Sequence, residues 1–127
     1  MKILDTDLLI DLQRKLPAAV AWLQSLPDVP TVPGVVVLEL IQGCRNSGDV
    51  ADALRLTAAF PILWPTEVDC NRALVDYSKL HLSHRIGLVD VLIASCAIGI
   101  DAELCTFNEK HFRAVPGLRL LLPYARP

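Results

Sequence analysis

Three acidic residues stand inside otherwise apolar runs of the sequence. Asp5 follows the apolar start of the chain, Glu39 interrupts residues 35–41, and Asp90 interrupts residues 88–93. Burying an ionised carboxylate without compensation costs several kcal/mol or more. We therefore predict that a divalent cation, Mg²⁺ or Mn²⁺, is shared by the three carboxylates. Such a cluster activates water against phosphodiester bonds.

Two of these acids also have a simpler structural interpretation. Asp5 at the end of a strand can bind the amides of the following turn, and Asp90 near a helix N-terminus is favoured by the helix dipole. Glu39 has neither explanation, because it lies in mid-helix and Arg45 is six positions further on. A cation common to all three acids accounts for the whole set.

A fourth part of the site is predicted where a later strand ends. Thr106 and Asn108 alternate with Cys105 and Phe107, so both polar side chains are expected to face one side. An Asn side chain can donate to or accept from a metal-bound water, although it brings no charge. His111, which follows them, is either catalytic or a structural imidazole.

Basic residues flank these segments and suit contact with RNA phosphates. Arg85 belongs to a basic stretch before Asp90, and Lys110 and His111 follow the Thr106–Asn108 segment. We predict substrate contacts from these three residues and from Thr6. An ordinary solvated surface is the alternative for both basic groups.

Composition limits the classes of function. The chain has 127 residues, of which 53% are hydrophobic, and this suits a single domain over residues 1–127 and excludes disorder. The 12 Lys and Arg are outnumbered by 14 Asp and Glu, giving a net charge of −2. A protein that grips nucleic acid by bulk charge is therefore excluded. The apolar excess predicts a surface that a partner covers.

Nothing in the sequence indicates export or a membrane. The longest apolar run, residues 91–100, is about half of the roughly 20 residues that a membrane span needs. The first residues are not a signal peptide with a basic flank and an uninterrupted apolar stretch, because Asp5 and Asp7 follow directly. The four cysteines show no C-x-x-C spacing, so free thiols are expected rather than disulfides or zinc. We predict a cytoplasmic protein.

Short apolar strands alternate with helices along the chain. Strands are predicted near residues 2–4, 29–32, 61–65, 103–106 and 118–122. Helices are predicted at 7–16, 17–26, 33–42, 49–60, 67–84 and 89–99, with a short helical turn at 109–112. This alternation predicts an α/β fold with a parallel sheet. In such sheets ligands bind beyond the carboxyl ends of the strands.

The acids and their surroundings resemble the PIN-domain family, and in particular the VapC-type toxins of bacterial toxin–antitoxin pairs. The resemblance rests on four stretches that follow one another in the family's order: Leu4-Asp5-Thr6-Asp7-Leu8-Leu9-Ile10, Glu39-Leu40 with Gly43, Gly87-Leu88-Val89-Asp90 with Ile93-Ala94, and Thr106-Phe107-Asn108 with His111-Phe112 and Pro116-Gly117-Leu118. Each stretch is loose alone, but all four in register span essentially the whole chain.

The resemblance implies a three-layer α/β sandwich with a central parallel sheet flanked by helices, and Mg²⁺- or Mn²⁺-dependent endoribonuclease activity. By matching position, Asp5, Glu39 and Asp90 would bind the metal, and Thr106 and Asn108 would be polar residues of the site. It also implies an RNA substrate, a VapB-type antitoxin and a homodimer.

Three positions depart from the family pattern. Asp7 stands where Asn is common, which adds negative charge beside the site. Asn108 stands where many members carry a fourth acid, and Pro33 replaces a usual Ser. The three central acids are unaffected, so activity is expected to survive.

Two other functions match parts of the pattern. The D-x-D pair of Asp5 and Asp7 also resembles the start of haloacid-dehalogenase-type phosphatases, with Thr106 in their second motif. That fold needs a later Lys and a further acidic pair, which the chain does not supply. A catalytically inactive PIN module that binds protein or RNA is the other alternative. The sequence leaves tRNA, ribosomal RNA and messenger RNA open as targets.

Overall fold

The computed structural model describes residues 1–126, in which parallel strands alternate with helices. The elements in chain order are β1 (Lys2–Leu4), α1 (Thr6–Gln13), α2 (Pro17–Ser25), β2 (Val32–Pro33), α3 (Gly34–Gln42), α4 (Ser47–Thr57), β3 (Ile62–Leu63), α5 (Glu67–Leu80), α6 (Leu88–Gly99), β4 (Glu103–Cys105), α7 (Glu109–Phe112) and β5 (Arg119–Leu121). The predicted parallel α/β fold is confirmed.

The strands lie in the order β3-β2-β1-β4-β5. β1 pairs in parallel with β4, and β4 with β5, so that Ile3 stands beside Leu104 and Leu104 beside Leu120. β2 pairs in parallel with β3. A parallel bridge between Ile3 and Thr31 joins the two groups of strands. The crossovers that lead from β1 toward β3 and those that lead from β4 to β5 run in opposite directions along the sheet. Because crossovers between parallel strands are right-handed, the two sets of helices lie on opposite faces of the sheet. This agrees with the three predicted layers.

The middle of this sheet is a topological switch point. From β1 the chain moves outward to β2 and β3, and then returns to the other side of β1 to form β4 and β5. A crevice therefore opens beyond the carboxyl ends of β1 and β4, where ligands bind in open α/β sheets. Asp5 and Thr106 are the first residues after these two strands.

Burial explains why β1 and α6 are so apolar. Ile3, Leu4 and Leu104 are fully buried in the centre of the sheet. Helix α6 is buried at Val91 and along residues 93–97, as expected of a helix that is apolar nearly all round. No helix within residues 1–126 is long and apolar enough to span a lipid bilayer.

Some predicted details are wrong. The helix α1 begins one residue earlier than predicted, with Asp5 as its N-cap and Thr6 already helical. Helix α5 ends at Leu80, four residues earlier than predicted. Helix bounds elsewhere agree to within a few residues. Trp64 is 56% exposed and lies over the backbone of Gly34. Thr66 and Asp69 form a capping box at the start of α5.

Candidate metal centre

Asp5 lies at the bottom of the crevice, in the first position after β1. Its carboxylate is 3% exposed. One oxygen accepts the backbone N–H of Thr6 at 2.8 Å, and the other accepts the hydroxyl of Thr106 at 2.7 Å. The same carboxylate thus caps helix α1 and joins the ends of the two central strands.

The negative charge of Asp5 is poorly compensated. Burial, together with the charge of Asp7, raises the pKa of Asp5 from 3.8 to about 7, although the bonds from Thr106 and Thr6 oppose the rise. The charge of Asp90 adds a smaller rise to this pKa. A cation at this point would remove the cost of ionising Asp5.

Glu39 is joined to this group through Thr6. The Thr6 hydroxyl donates to a Glu39 carboxylate oxygen, and Glu39 is half-buried on helix α3. Thr6 was predicted to contact substrate, and in the structure its hydroxyl donates to one of the predicted metal-binding acids, so its contact with substrate stays a prediction. The backbone N–H of Thr6 is given to Asp5, so this residue connects the two acids.

Asp90 lies in the first turn of helix α6. One of its carboxylate oxygens accepts the backbone N–H of Gly87 at 3.2 Å, and the side chain is half-buried. The helix-terminal interpretation of Asp90 therefore agrees with the structure, and its role as a metal ligand stays a prediction. This position leaves part of the carboxylate open to the crevice.

The Thr106–Asn108 turn contributes one side chain to the centre and not two. Thr106 is 2% exposed, donates to Asp5 and accepts the backbone N–H of Asn108 at 3.0 Å. The Asn108 side chain is exposed, and within residues 1–126 it makes no hydrogen bond with the acids. Its role as a catalytic polar residue stays a prediction.

Asp7 is a further acid beside the centre, at the position where the sequence departs from the family pattern. Its Oδ2 accepts the backbone N–H of Phe107 at 2.8 Å and lies 3.4 Å from the Thr106 hydroxyl. Its Oδ1 is buried and finds no hydrogen-bond partner within residues 1–126. Burial raises the pKa of Asp7. The D-x-D spacing was the signal that Asp7 belongs beside Asp5.

Apart from Thr6, the predicted substrate contacts lie outside this hydrogen-bonded group. Arg85, Lys110 and His111 are all exposed. In the part of the chain that the structure describes, none of their side chains forms an ion pair or hydrogen bond with the three central acids. Their side chains are free to meet a ligand from solvent, and their roles stay predictions.

The donor chemistry of the centre fits a hard divalent cation. Every candidate ligand is a carboxylate, which Mg²⁺ and Mn²⁺ prefer. Within residues 1–126, no three acidic, His or Cys side chains converge tightly enough to coordinate one ion directly. Mg²⁺ usually keeps several waters and binds through one or two carboxylates, so a site here does not require all three acids to contact the ion directly, and their role as ligands stays a prediction.

Asp7→Asn is expected to shift the pH dependence of cation binding toward acid. Only ionised Asp5 attracts the cation, so apparent affinity rises as pH passes the pKa of about 7. Replacing Asp7 by Asn removes a neighbouring negative charge, lowers that pKa, and retains an oxygen for the Phe107 amide. Mg²⁺ titrations between pH 5.5 and 8.5 would measure the shift. Asp52→Asn, which removes an exposed acid, is the control, and an equal midpoint in both variants would contradict the prediction.

Comparisons with known proteins agree with this fold. A family model described as PIN domain matches residues 2–118. Ribonuclease VapC10 of Mycobacterium tuberculosis is 38% identical, over 100% of this chain and 96% of the relative. Ribonuclease VapC19 of the same organism is 34% identical, over 94% and 98%. The VapBC2 structure from Rickettsia felis, bound to a promoter DNA fragment, has a TM-score of 0.81 at 22% identity and covers 94% and 96%. The chain therefore belongs to the PIN domain family and, within it, to the VapC group in which these ribonucleases are placed.

Proposed function

We propose that this chain is the endoribonuclease toxin of a toxin–antitoxin pair and hydrolyses RNA phosphodiester bonds with Mg²⁺ or Mn²⁺. The observation that carries the proposal is the buried Asp5 carboxylate at the switch point of the sheet, which shares the Thr106 hydroxyl with Asp7. The names of the M. tuberculosis relatives, which describe ribonucleases, support it. Asp5, Asp90 and Glu39 would hold the cation.

When bound, the cation supplies Lewis acidity and an activated water. The residues of the chain provide the frame for that chemistry. Thr106 fixes the orientation of Asp5 through its hydroxyl, Thr6 does the same for Glu39, and the Gly87 amide holds Asp90. Water would form the new bond to phosphorus while the bond to the 3′-oxygen breaks, so the expected products are a 5′-phosphate and a 3′-hydroxyl rather than a cyclic phosphate.

Removal of the cation is expected to abolish cleavage. Purified protein should cut a mixed RNA substrate in millimolar Mg²⁺, lose the activity in excess EDTA, and regain it when Mg²⁺ or Mn²⁺ is restored. Sequencing of the 5′-phosphate ends would identify the target. Undiminished cleavage in chelator would overturn the proposal, and binding of RNA without cleavage in any cation would favour the inactive PIN module.

The proposal includes a VapB-type antitoxin and a homodimer in the cytoplasm. Solved structures with the same fold are described as toxin–antitoxin complexes, among them one from Klebsiella pneumoniae. Several large apolar side chains are more than half exposed and suit a covered surface, including Leu38, Trp64 and Leu74. Light scattering tests the dimer, and a monomer at micromolar concentration would contradict it.

The observations favour the ribonuclease over a phosphatase. The PIN domain match extends over residues 2–118, a range that includes Glu39 and Asp90, which the phosphatase alternative leaves without a role. Asp5, the nucleophile in that alternative, is buried and holds the Thr6 amide and the Thr106 hydroxyl with its two oxygens.

A further inference from the structure

The segment that follows β5 folds back onto helix α1 and is anchored there by Asp11. The Tyr124 hydroxyl donates to Asp11 Oδ2 at 2.8 Å, and Arg126 Nε donates to the same oxygen at 3.1 Å. Asp11 is 7% exposed, so this carboxylate depends on these two donors for its compensation. The anchor lies one helical turn after Asp7.

The anchored segment holds Phe107 on two sides. The Arg126 guanidinium carbon lies 4.0 Å from the centre of the Phe107 ring, which is cation–π geometry. The Tyr124 ring meets Phe107 edge-on, with the ring centres 4.9 Å apart. Tyr124 also contacts Trp22 on helix α2, at 6.0 Å between ring centres.

Phe107 connects this cluster to the candidate metal centre. Its backbone N–H donates to Asp7 Oδ2, and it directly follows Thr106, whose hydroxyl donates to Asp5. The position of the Phe107 ring therefore fixes the peptide that orients both hydrogen bonds. A shift of this ring would change the direction of the Thr106 hydroxyl.

We propose that Tyr124 and Arg126 are positioning residues for the metal centre. They hold Phe107 in place and thereby direct Thr106 toward Asp5, although neither side chain contacts Asp5 itself. This inference rests on the proposed function, because it assigns these residues to the cation site of the ribonuclease. Partners that orient metal ligands typically change affinity or activity by about 10–100-fold when mutated.

Arg126→Ala and Tyr124→Phe are the variants that test this. Direct Mn²⁺ binding, measured by isothermal titration calorimetry without RNA, should weaken by about 10-fold or more in Arg126→Ala. Hydrogen exchange of the Phe107 amide, followed by NMR, should become faster. Arg126→Lys keeps the positive charge and should restore part of the Mn²⁺ affinity and part of the protection of the Phe107 amide. Tyr124→Phe keeps the ring contact, so its effect should be smaller.

Arg119→Ala is the matched control, since Arg119 also joins β5 to another segment through an exposed ion pair with Asp101. It should leave Mn²⁺ affinity and Phe107 exchange unchanged. Wild-type Mn²⁺ affinity in Arg126→Ala, with wild-type Phe107 exchange, would overturn the positioning role alone. A wild-type protein that binds no Mn²⁺ would overturn the proposed function. If Arg119→Ala weakened Mn²⁺ binding as much as Arg126→Ala does, the loss would reflect a general effect on folding, and the positioning role would also be overturned.

Discussion

Asp5→Asn is expected to abolish RNA cleavage while it stabilises the cation-free protein. The introduced amide side chain would retain an oxygen for the Thr6 amide, and Asn is as good a helix N-cap as Asp. The charge that attracts the cation would be lost. Loss of about 4 kcal/mol of transition-state stabilisation corresponds to a roughly 1000-fold slower reaction.

The gain in stability follows from the raised pKa of Asp5. The pKa of this carboxyl is about 7 in the folded chain and 3.8 in the unfolded chain, so between these pH values the folded chain binds more protons. The free energy of unfolding therefore falls as pH rises from about 4 to about 7. Over that window the loss is about 4 kcal/mol at most. The variant has no charge at this position and escapes the loss, so its advantage is greatest at pH 8 and disappears near pH 4.

Thermal unfolding in EDTA at pH 4.5 and pH 8, with a parallel cleavage assay in Mg²⁺, measures both effects. Asp52→Asn is the control, because Asp52 is exposed and pairs with Arg55 on the surface of α4. An Asp5→Asn protein that still cleaves RNA would show that Asp5 is not a ligand. If Asp5→Asn were destabilised equally at both pH values, burial of the ionised Asp5 carboxylate would not cost stability in the wild-type protein.

The sequence was sufficient to predict the positions of the acids along the fold. Asp5 follows an apolar strand and Asp90 begins an apolar helix, and both signals are local. The switch point could be anticipated only in general terms, because strand order depends on pairing between residues about 100 positions apart, such as Ile3 with Leu104. The contact from Thr106 to Asp5 has the same separation.

The supporting contacts could not be predicted from local patterns. Asp11 lies on the buried side of α1, yet its partners Tyr124 and Arg126 are more than 110 positions away. Thr6 has a residue type suited to an N-cap, and only the approach of α3 gives its hydroxyl to Glu39. Tertiary contacts therefore determined the roles of residues whose types were ambiguous.

The charge count also gains a structural meaning. The net charge is −2, and without the three proposed metal-binding acids it would be −2 + 3 = +1. The mild acidity that excludes binding of nucleic acid by bulk charge is concentrated at the proposed reaction centre. A divalent cation there offsets most of the negative charge that would otherwise repel an RNA phosphate.

Asp69→Ala is expected to cause a large loss of stability although it lies outside the metal centre. One Asp69 oxygen accepts the Thr66 amide at 3.0 Å and completes the capping box of α5. The other accepts Arg72 at 3.0 Å, and Arg72 also donates to the backbone and hydroxyl oxygens of Ser95 on α6. Removing Asp69 leaves the guanidinium without its counter-ion at the junction of two helices.

Loss of one partner of a buried ion pair costs about 3–5 kcal/mol. The Arg72 side chain is 29% exposed, so we expect the lower end, about 3 kcal/mol. The midpoint of thermal unfolding should fall by about 10 °C in a chain of this length. Because α6 carries Asp90 in its first turn, the rate of RNA cleavage should begin to fall at temperatures below that midpoint. Asp52→Ala, which breaks an exposed pair on α4, should change the midpoint very little.

Gly99→Ala tests the same junction from the opposite helix. A Cβ at Gly99 would overlap Asp69 Oδ1, so α6 approaches this carboxylate too closely for any side chain. The added methyl group must displace Asp69 from Thr66 or Arg72, and overpacking of this kind costs about 1–3 kcal/mol. The double variant Asp69→Ala/Gly99→Ala should then lose less than the sum of the two single changes, because the clash disappears with the carboxylate. Strict additivity would show that the two helices do not meet at this carboxylate.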